Sequence, residues 1–160
     1  MNDQDHAAGA GRSAEPATEP LSRKTTLRQG VAQEVRDRPC VRCPWRTDTD
    51  LTAFSEEEMD MLRQANGRPG ADAEITAPTV ACHRDQPGTR HAWRWCAGWL
   101  ATVGHYHHLV RLAGIFESIP KNALDPQPGW PELYPGLDAL LAARTEQLAR
   151  RRTADRDDRA

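Results

Sequence analysis

What most constrains this chain is the placement of its 4 cysteines. Cys40 and Cys43 have two residues between them, within Arg38-Pro39-Cys40-Val41-Arg42-Cys43-Pro44-Trp45-Arg46, whereas Cys82 and Cys96 lie far downstream. A two-residue gap lets both thiolates face one ion from a single turn, the knuckle of tetrahedral zinc and iron-sulfur sites, and leaves two ligands to come from elsewhere. A fold that gathers these sulfurs must bring three distant stretches of chain to one point.

Composition bears on whether those thiols are free for such a task. The chain has 160 residues, is 38% apolar and has mean hydropathy −0.75, which suits one modest domain with polar extensions. Met1 to Pro20 has no apolar signal-peptide core, and uncharged apolar runs such as Trp99 to Gly104 are far too short to span a membrane. A soluble, cytoplasmic protein is expected, and in a reducing compartment permanent disulfides are the weaker reading. The formal net charge of −2, from 21 basic and 23 acidic residues, argues against a dedicated nucleic-acid binder. The partner class left open is another protein.

Along the chain, residues 1–37 read as a flexible leader, with a marginal helical spacing of Leu27, Val31 and Val35. The cysteine-motif domain is expected over 38–149. Ser55-Glu56-Glu57-Glu58 predicts a capped helix, with Phe54 and Met59 as a hydrophobic staple and Gly67 as its stop. Thr79 to Cys82 reads as extended, and Gln86 to Arg90 as a loop. Cys96, Trp99, Leu100, Val103, His107 and Val110 predict one buried helix from Cys96 to Ala113. Five prolines make Ile115 to Pro135 an ordered loop, after which Leu137, Leu140, Leu141 and Leu148 predict a terminal helix. Residues 150–160 read as a charged flexible tail. The fold class expected is α+β, mainly helical, a small irregular metal-stabilised domain whose core holds Phe54, Met59, Leu62, Leu100, Val103, Val110 and Leu141.

The candidate metal ligands are Cys40, Cys43, Cys82 and Cys96. Zn²⁺ leads because structural zinc commonly uses such knuckles; the alternative is a 4Fe-4S cluster, which Cys43-Pro44 echoes. If Cys96 opens its helix, the dipole should lower its pKa. His83 is a reserve ligand or donor, Arg42, Arg46, Arg84 and Arg94 are nearby cations, and Trp45 and Trp99, with Trp95, should exclude water. A thioredoxin-like role for Cys40 and Cys43 is rejected because prolines bracket the pair and no strand-helix-strand pattern surrounds it. His105, His107 and His108 read as a surface patch with His107 half-buried, since no carboxylate completes a metal set. Glu56 to Glu58 are explained by the helix start, and Arg150 to Arg152 by a solvated tail.

The motifs Cys40-x-x-Cys43-Pro44-Trp45-Arg46, Ala81-Cys82-His83 and Cys96-Ala97-Gly98-Trp99-Leu100, with Leu109 to Ala113, resemble a bacterial and phage family of unknown function, the one numbered 6283. The resemblance runs from about Pro39 to Leu141 and implies a cysteine-motif domain with no activity to carry over. The expectation is a zinc-stabilised binding or accessory module. The alternatives are an iron-sulfur redox or sensing protein and a metalloenzyme of unknown reaction; no catalytic residue stands out, so the chain reads more as a non-enzyme.

Overall fold

Ser55 opens the first helix as the sequence requires: its hydroxyl accepts the Glu58 N–H, and the Glu58 carboxylate accepts the Ser55 N–H, closing a capping box. The computed structural model describes residues 33–85 and 88–159. Among them stand four α-helices, α1 (Glu56–Gln64), α2 (Ala97–Val103), α3 (His108–Ile115) and α4 (Leu137–Asp157), with 3-10 turns at Leu51–Ala53 and Gly104–Tyr106. The domain is small and mainly helical. Pairing of β type among the described residues is confined to isolated bridges, with Trp95 bridging both Val35 and Ala81, so Thr79 to Cys82 is extended without joining a sheet.

Residues before Gln33 lie outside the described part, and with them most of the expected leader and the spacing of Leu27 and Val31. Gln33 to Asp37, placed in that leader by composition, are tied to the domain instead. The Gln33 N–H donates to the Ser118 carbonyl at 2.7 Å, and Trp95 exchanges backbone bonds with Glu34 and Arg36.

The single helix expected from Cys96 to Ala113 is two helices. After Val103 the chain tightens into its 3-10 turn, His107 is extended at φ −114°, ψ 123°, and α3 then begins. Long-range contacts decide the break. The Tyr106 carbonyl accepts the Ala73 N–H at 2.8 Å, and His107 Nε2 meets the Pro78 carbonyl at 3.1 Å. Gly104 admits Leu124, whose Cδ2 would stand 2.6 Å from an added Cβ.

Gly67 does not terminate α1, which ends at Gln64 with Ala65 as its cap. It serves a close approach: a Cβ there would lie 2.5 Å from the Tyr106 carbonyl oxygen.

The core forms where the cysteine segments meet α1 and α2. Phe54, Met59, Leu62, Leu100, Val103 and Val110 are buried as expected, and Leu141 packs half-buried against them. Helix α4 seats Leu137 and Leu140 there and continues through the presumed tail to Asp157, with residues 149–157 exposed. Arg144, unanticipated, is buried on α4; its guanidinium donates to the carbonyls of Leu51 and Phe54 and to the Glu56 carboxylate.

Candidate metal centre

Short hydrogen bonds shape the knuckle. The Cys43 N–H donates to the Cys40 carbonyl at 3.0 Å, and the Cys43 carbonyl accepts both the Arg46 N–H at 3.1 Å and the Thr49 hydroxyl at 2.8 Å. Pro39 and Pro44 suit such a turn because neither can continue a helix or complete a strand. The Trp45 carbonyl then accepts the Tyr134 N–H at 2.8 Å, anchoring the knuckle to the loop before α4. Arg46 chelates Asp48 and reaches the Cys40 carbonyl at 3.3 Å.

Cys82 arrives on the segment that bridges to Trp95 through Ala81, and Cys96 follows Trp95 directly. The Cys82 N–H donates to the Arg94 carbonyl and the Cys96 N–H to the Val80 carbonyl, each at 2.9 Å. Cys82 is held by a turn in which its carbonyl accepts the Asp85 N–H at 3.0 Å. The Asp85 side chain, only 3% exposed, takes two bonds from Arg94, at 2.9 and 2.7 Å, and one from Arg36 at 3.1 Å. Cys96 is the N-cap residue of α2, as expected.

All four thiols are free and buried. The sulfurs of Cys43 and Cys96 stand 3.6 Å apart. Gly98 makes that approach feasible, since a Cβ at its position would lie 2.6 Å from Cys43 Sγ and 2.9 Å from Trp45 Cβ. Cys82 is the strongest influence on Cys40: it stabilises the Cys40 thiolate and lowers that pKa to about 7, while Cys40 in turn, with burial, pushes the Cys82 thiol up. The expectation of an easily ionised Cys96 is overturned. Its neighbour Cys43, then burial, raise the Cys96 pKa well above the usual thiol value, outweighing the Trp99 N–H at the helix start. Among the described residues no group of three or more His, Cys, Asp or Glu side chains stands ready-made to hold an ion.

The model of a family of unknown function, DUF6283, matches residues 35–156. The chain belongs to DUF6283. No curated protein and no solved structure matches it.

In this DUF6283 domain, Trp45, Trp95 and Trp99 are wholly buried beside the cysteines. Trp99 donates through Nε1 to the Ala65 carbonyl at 3.2 Å, and its ring meets those of Trp95 and His107 edge-on. The indole nitrogens of Trp45 and Trp95 are buried without a partner, and so is His83 Nε2. His83 packs edge-on against Phe54; burial, reinforced by the Arg42, Arg84 and Arg36 cations, lowers its pKa to about 4. Its imidazole is therefore neutral at physiological pH. Arg84 is exposed, and Arg94, rather than Arg84, forms the ordered ion pair beside Cys82.

The remaining candidates separate from this centre. His107 is buried under Pro78, while His105 is exposed and His108 pairs with Arg111 at 3.2 Å. Glu58 closes the capping box, Glu56 meets Arg144 and Glu57 is held low by the helix start. Sequence reasoning missed Asp85 as the clamp on the Cys82 turn; an Asp three residues after a cysteine gives no periodic signal. It also missed Gly98 as the small residue that the Cys43 sulfur requires, although Gly98 lies inside a motif it singled out.

Thiols are the donors that a thiophilic ion takes. Four buried thiols lie on three segments of the chain, a glycine makes room for one sulfur, and three unpartnered nitrogens belong to residues within two positions of a cysteine.

Proposed function

We propose that Cys40, Cys43, Cys82 and Cys96 together hold one zinc ion, and that the domain is a zinc-stabilised binding or accessory module of the reducing cytoplasm. The observation that carries this reading is the 3.6 Å separation of the Cys43 and Cys96 sulfurs. Zinc-thiolate bonds of about 2.3 Å give a tetrahedron with edges of about 3.8 Å, so one ion could take both sulfurs with little movement of either. In a cubane each thiolate sits on its own iron, which spreads the sulfurs further; the pair therefore favours a mononuclear site.

Bound zinc supplies four strong bonds to thiolate and no redox chemistry of its own. The chain supplies the rest. Gly98 leaves space for Cys43, the Asp85 clamp fixes the Cys82 turn, and the buried tryptophans keep water away. Four thiolates leave the site with negative charge, for which Arg46 and Arg36 lie at hand and toward which the unpartnered nitrogens could donate. Four sulfur ligands leave no open position for a substrate, which favours a structural over a catalytic role. Ligation closes the long loop between Cys43 and Cys82 and contributes on the order of 10 kcal/mol to folding.

Elemental analysis with an absorption spectrum, on protein purified without oxygen, tests the reading. Zinc near one equivalent supports it. Iron near four equivalents with charge-transfer absorption replaces it with a 4Fe-4S redox or sensing protein, and absence of both metals rejects ligation altogether.

A further inference from the structure

The sulfur positions carry a second consequence, which rests on the zinc reading only for what guards the thiols beforehand. We propose that, in the metal-free protein, hydrogen peroxide converts the four thiols into two crossed disulfides, Cys43–Cys96 and Cys40–Cys82, and not into a bond within the knuckle.

Four cysteines allow three pairings. Proximity in sequence would favour Cys40 with Cys43, yet the Cys43 sulfur is turned toward Cys96, 3.6 Å away, across the gap that Gly98 leaves. The knuckle turn, held by the Cys43 N–H on the Cys40 carbonyl and by the Thr49 hydroxyl on the Cys43 carbonyl, keeps that orientation. Once Cys43 joins Cys96, Cys40 and Cys82 are the two thiols left, both free and both buried in the same core cluster.

The chemistry balances within each pair. One sulfur attacks a peroxide oxygen; the O–O bond breaks, one oxygen stays on sulfur as a sulfenic acid, and the other leaves as water with the thiol proton. The partner sulfur then attacks the sulfenic sulfur, the S–O bond breaks as the S–S bond forms, and a second water carries off the second proton. Each disulfide consumes one peroxide, which is reduced by the two electrons the sulfurs give up. The crossed bonds tie the knuckle to the same two segments that the ion would join. Oxidation therefore trades metal for covalent links while the domain stays closed.

The test uses the full chain, stripped of metal with a chelator under anaerobic conditions and then given two equivalents of hydrogen peroxide. Residual thiols are alkylated and the protein is digested with trypsin; Arg42 separates Cys40 from Cys43, and Arg84 and Arg94 separate Cys82 from Cys96. Linked peptides joining Cys43 to Cys96 and Cys40 to Cys82 are expected, with a melting temperature roughly 5 to 15 °C above that of the reduced metal-free protein. A Cys40–Cys43 link, the pairing of Cys43 with Cys82, or sulfinic acid without disulfide would overturn the proposal. In Cys96→Ser the Cys40–Cys82 link should persist; if that variant does not fold, the wild-type map decides alone. Zinc content before chelation separates the two readings. Crossed links in a protein that never held zinc would remove only the zinc reading, whereas one equivalent of zinc followed by a knuckle disulfide would remove only this one.

Discussion

A methyl group on Gly98 would stand 2.6 Å from the sulfur of Cys43, well inside van der Waals contact. Neither partner can retreat easily, because α2 carries the glycine and the knuckle bonds fix the cysteine. Gly98→Ala should therefore lower stability by about 1–3 kcal/mol through overpacking and reduce bound zinc in the same preparation. Gly114, inside α3 with open space where its Cβ would be, is the matched control. Gly114→Ala should leave zinc unchanged and raise stability by about 0.5–1 kcal/mol. Paired thermal melts and metal assays check both, and an unaffected Gly98→Ala protein would mean that the sulfur does not need that space.

On the zinc reading, Cys43→Ser should lower zinc content and melting temperature together, since it would remove a ligand and part of the folding free energy that ligation would supply. His108→Ala should change neither by more than a surface substitution would, because His108 meets Arg111 and not the sulfurs. Equal metal loss in both variants would show the ligand set to be wrong.

Asp85→Asn addresses the clamp. The carboxylate is almost fully buried between Arg94 and Arg36, whose guanidiniums remain about a quarter exposed. Removing the charge leaves two cations facing an amide. A loss of roughly 2–3 kcal/mol is expected, at or below the low end for a broken buried pair because solvent still screens the arginines. Denaturant melts measure it, and Arg36→Met should cost less, since Arg94 retains the bidentate contact.

Acid should destabilise the domain through His107. Burial lowers its pKa, Nε2 meets the Pro78 carbonyl, and Nδ1 is buried without a partner, so the native state holds the ring neutral. The unfolded state takes up a proton near pH 6.5. The contribution is thus fully present above that value and is lost as pH falls below it toward the lower native pKa. Stability measured at pH 7 and pH 5 should fall less in His107→Phe than in the wild type. His83, also held neutral, keeps some of the slope in that variant.

What could be read from the sequence was local. The capping box at Ser55 and the extended approach to Cys82 each depend on neighbours within a few residues, and both are present. The helix from Cys96 was legible up to Val103, where periodicity lost to the demand of Ala73 for the Tyr106 carbonyl, a partner far away in the chain. Arg144 was invisible for the same reason: a basic residue on α4 looks like a solvent-facing charge until the carbonyls of Leu51 and Phe54 are found at its tip. Of the centre, the cysteines were legible from spacing and motif order, whereas the closeness of the Cys43 and Cys96 sulfurs depends on how the Trp95 segment lies against the knuckle. No pattern along the chain encodes that.

Trp95 shares two backbone bonds with Glu34 and Arg36, immediately before the last of the four cysteines. A shortened version of the protein starting at Arg38 would strip both and leave a buried indole segment with raw amide edges. The minimal folding unit consequently starts no later than Glu34, and deletions that spare every sulfur can still undo the centre from the opposite end of the chain.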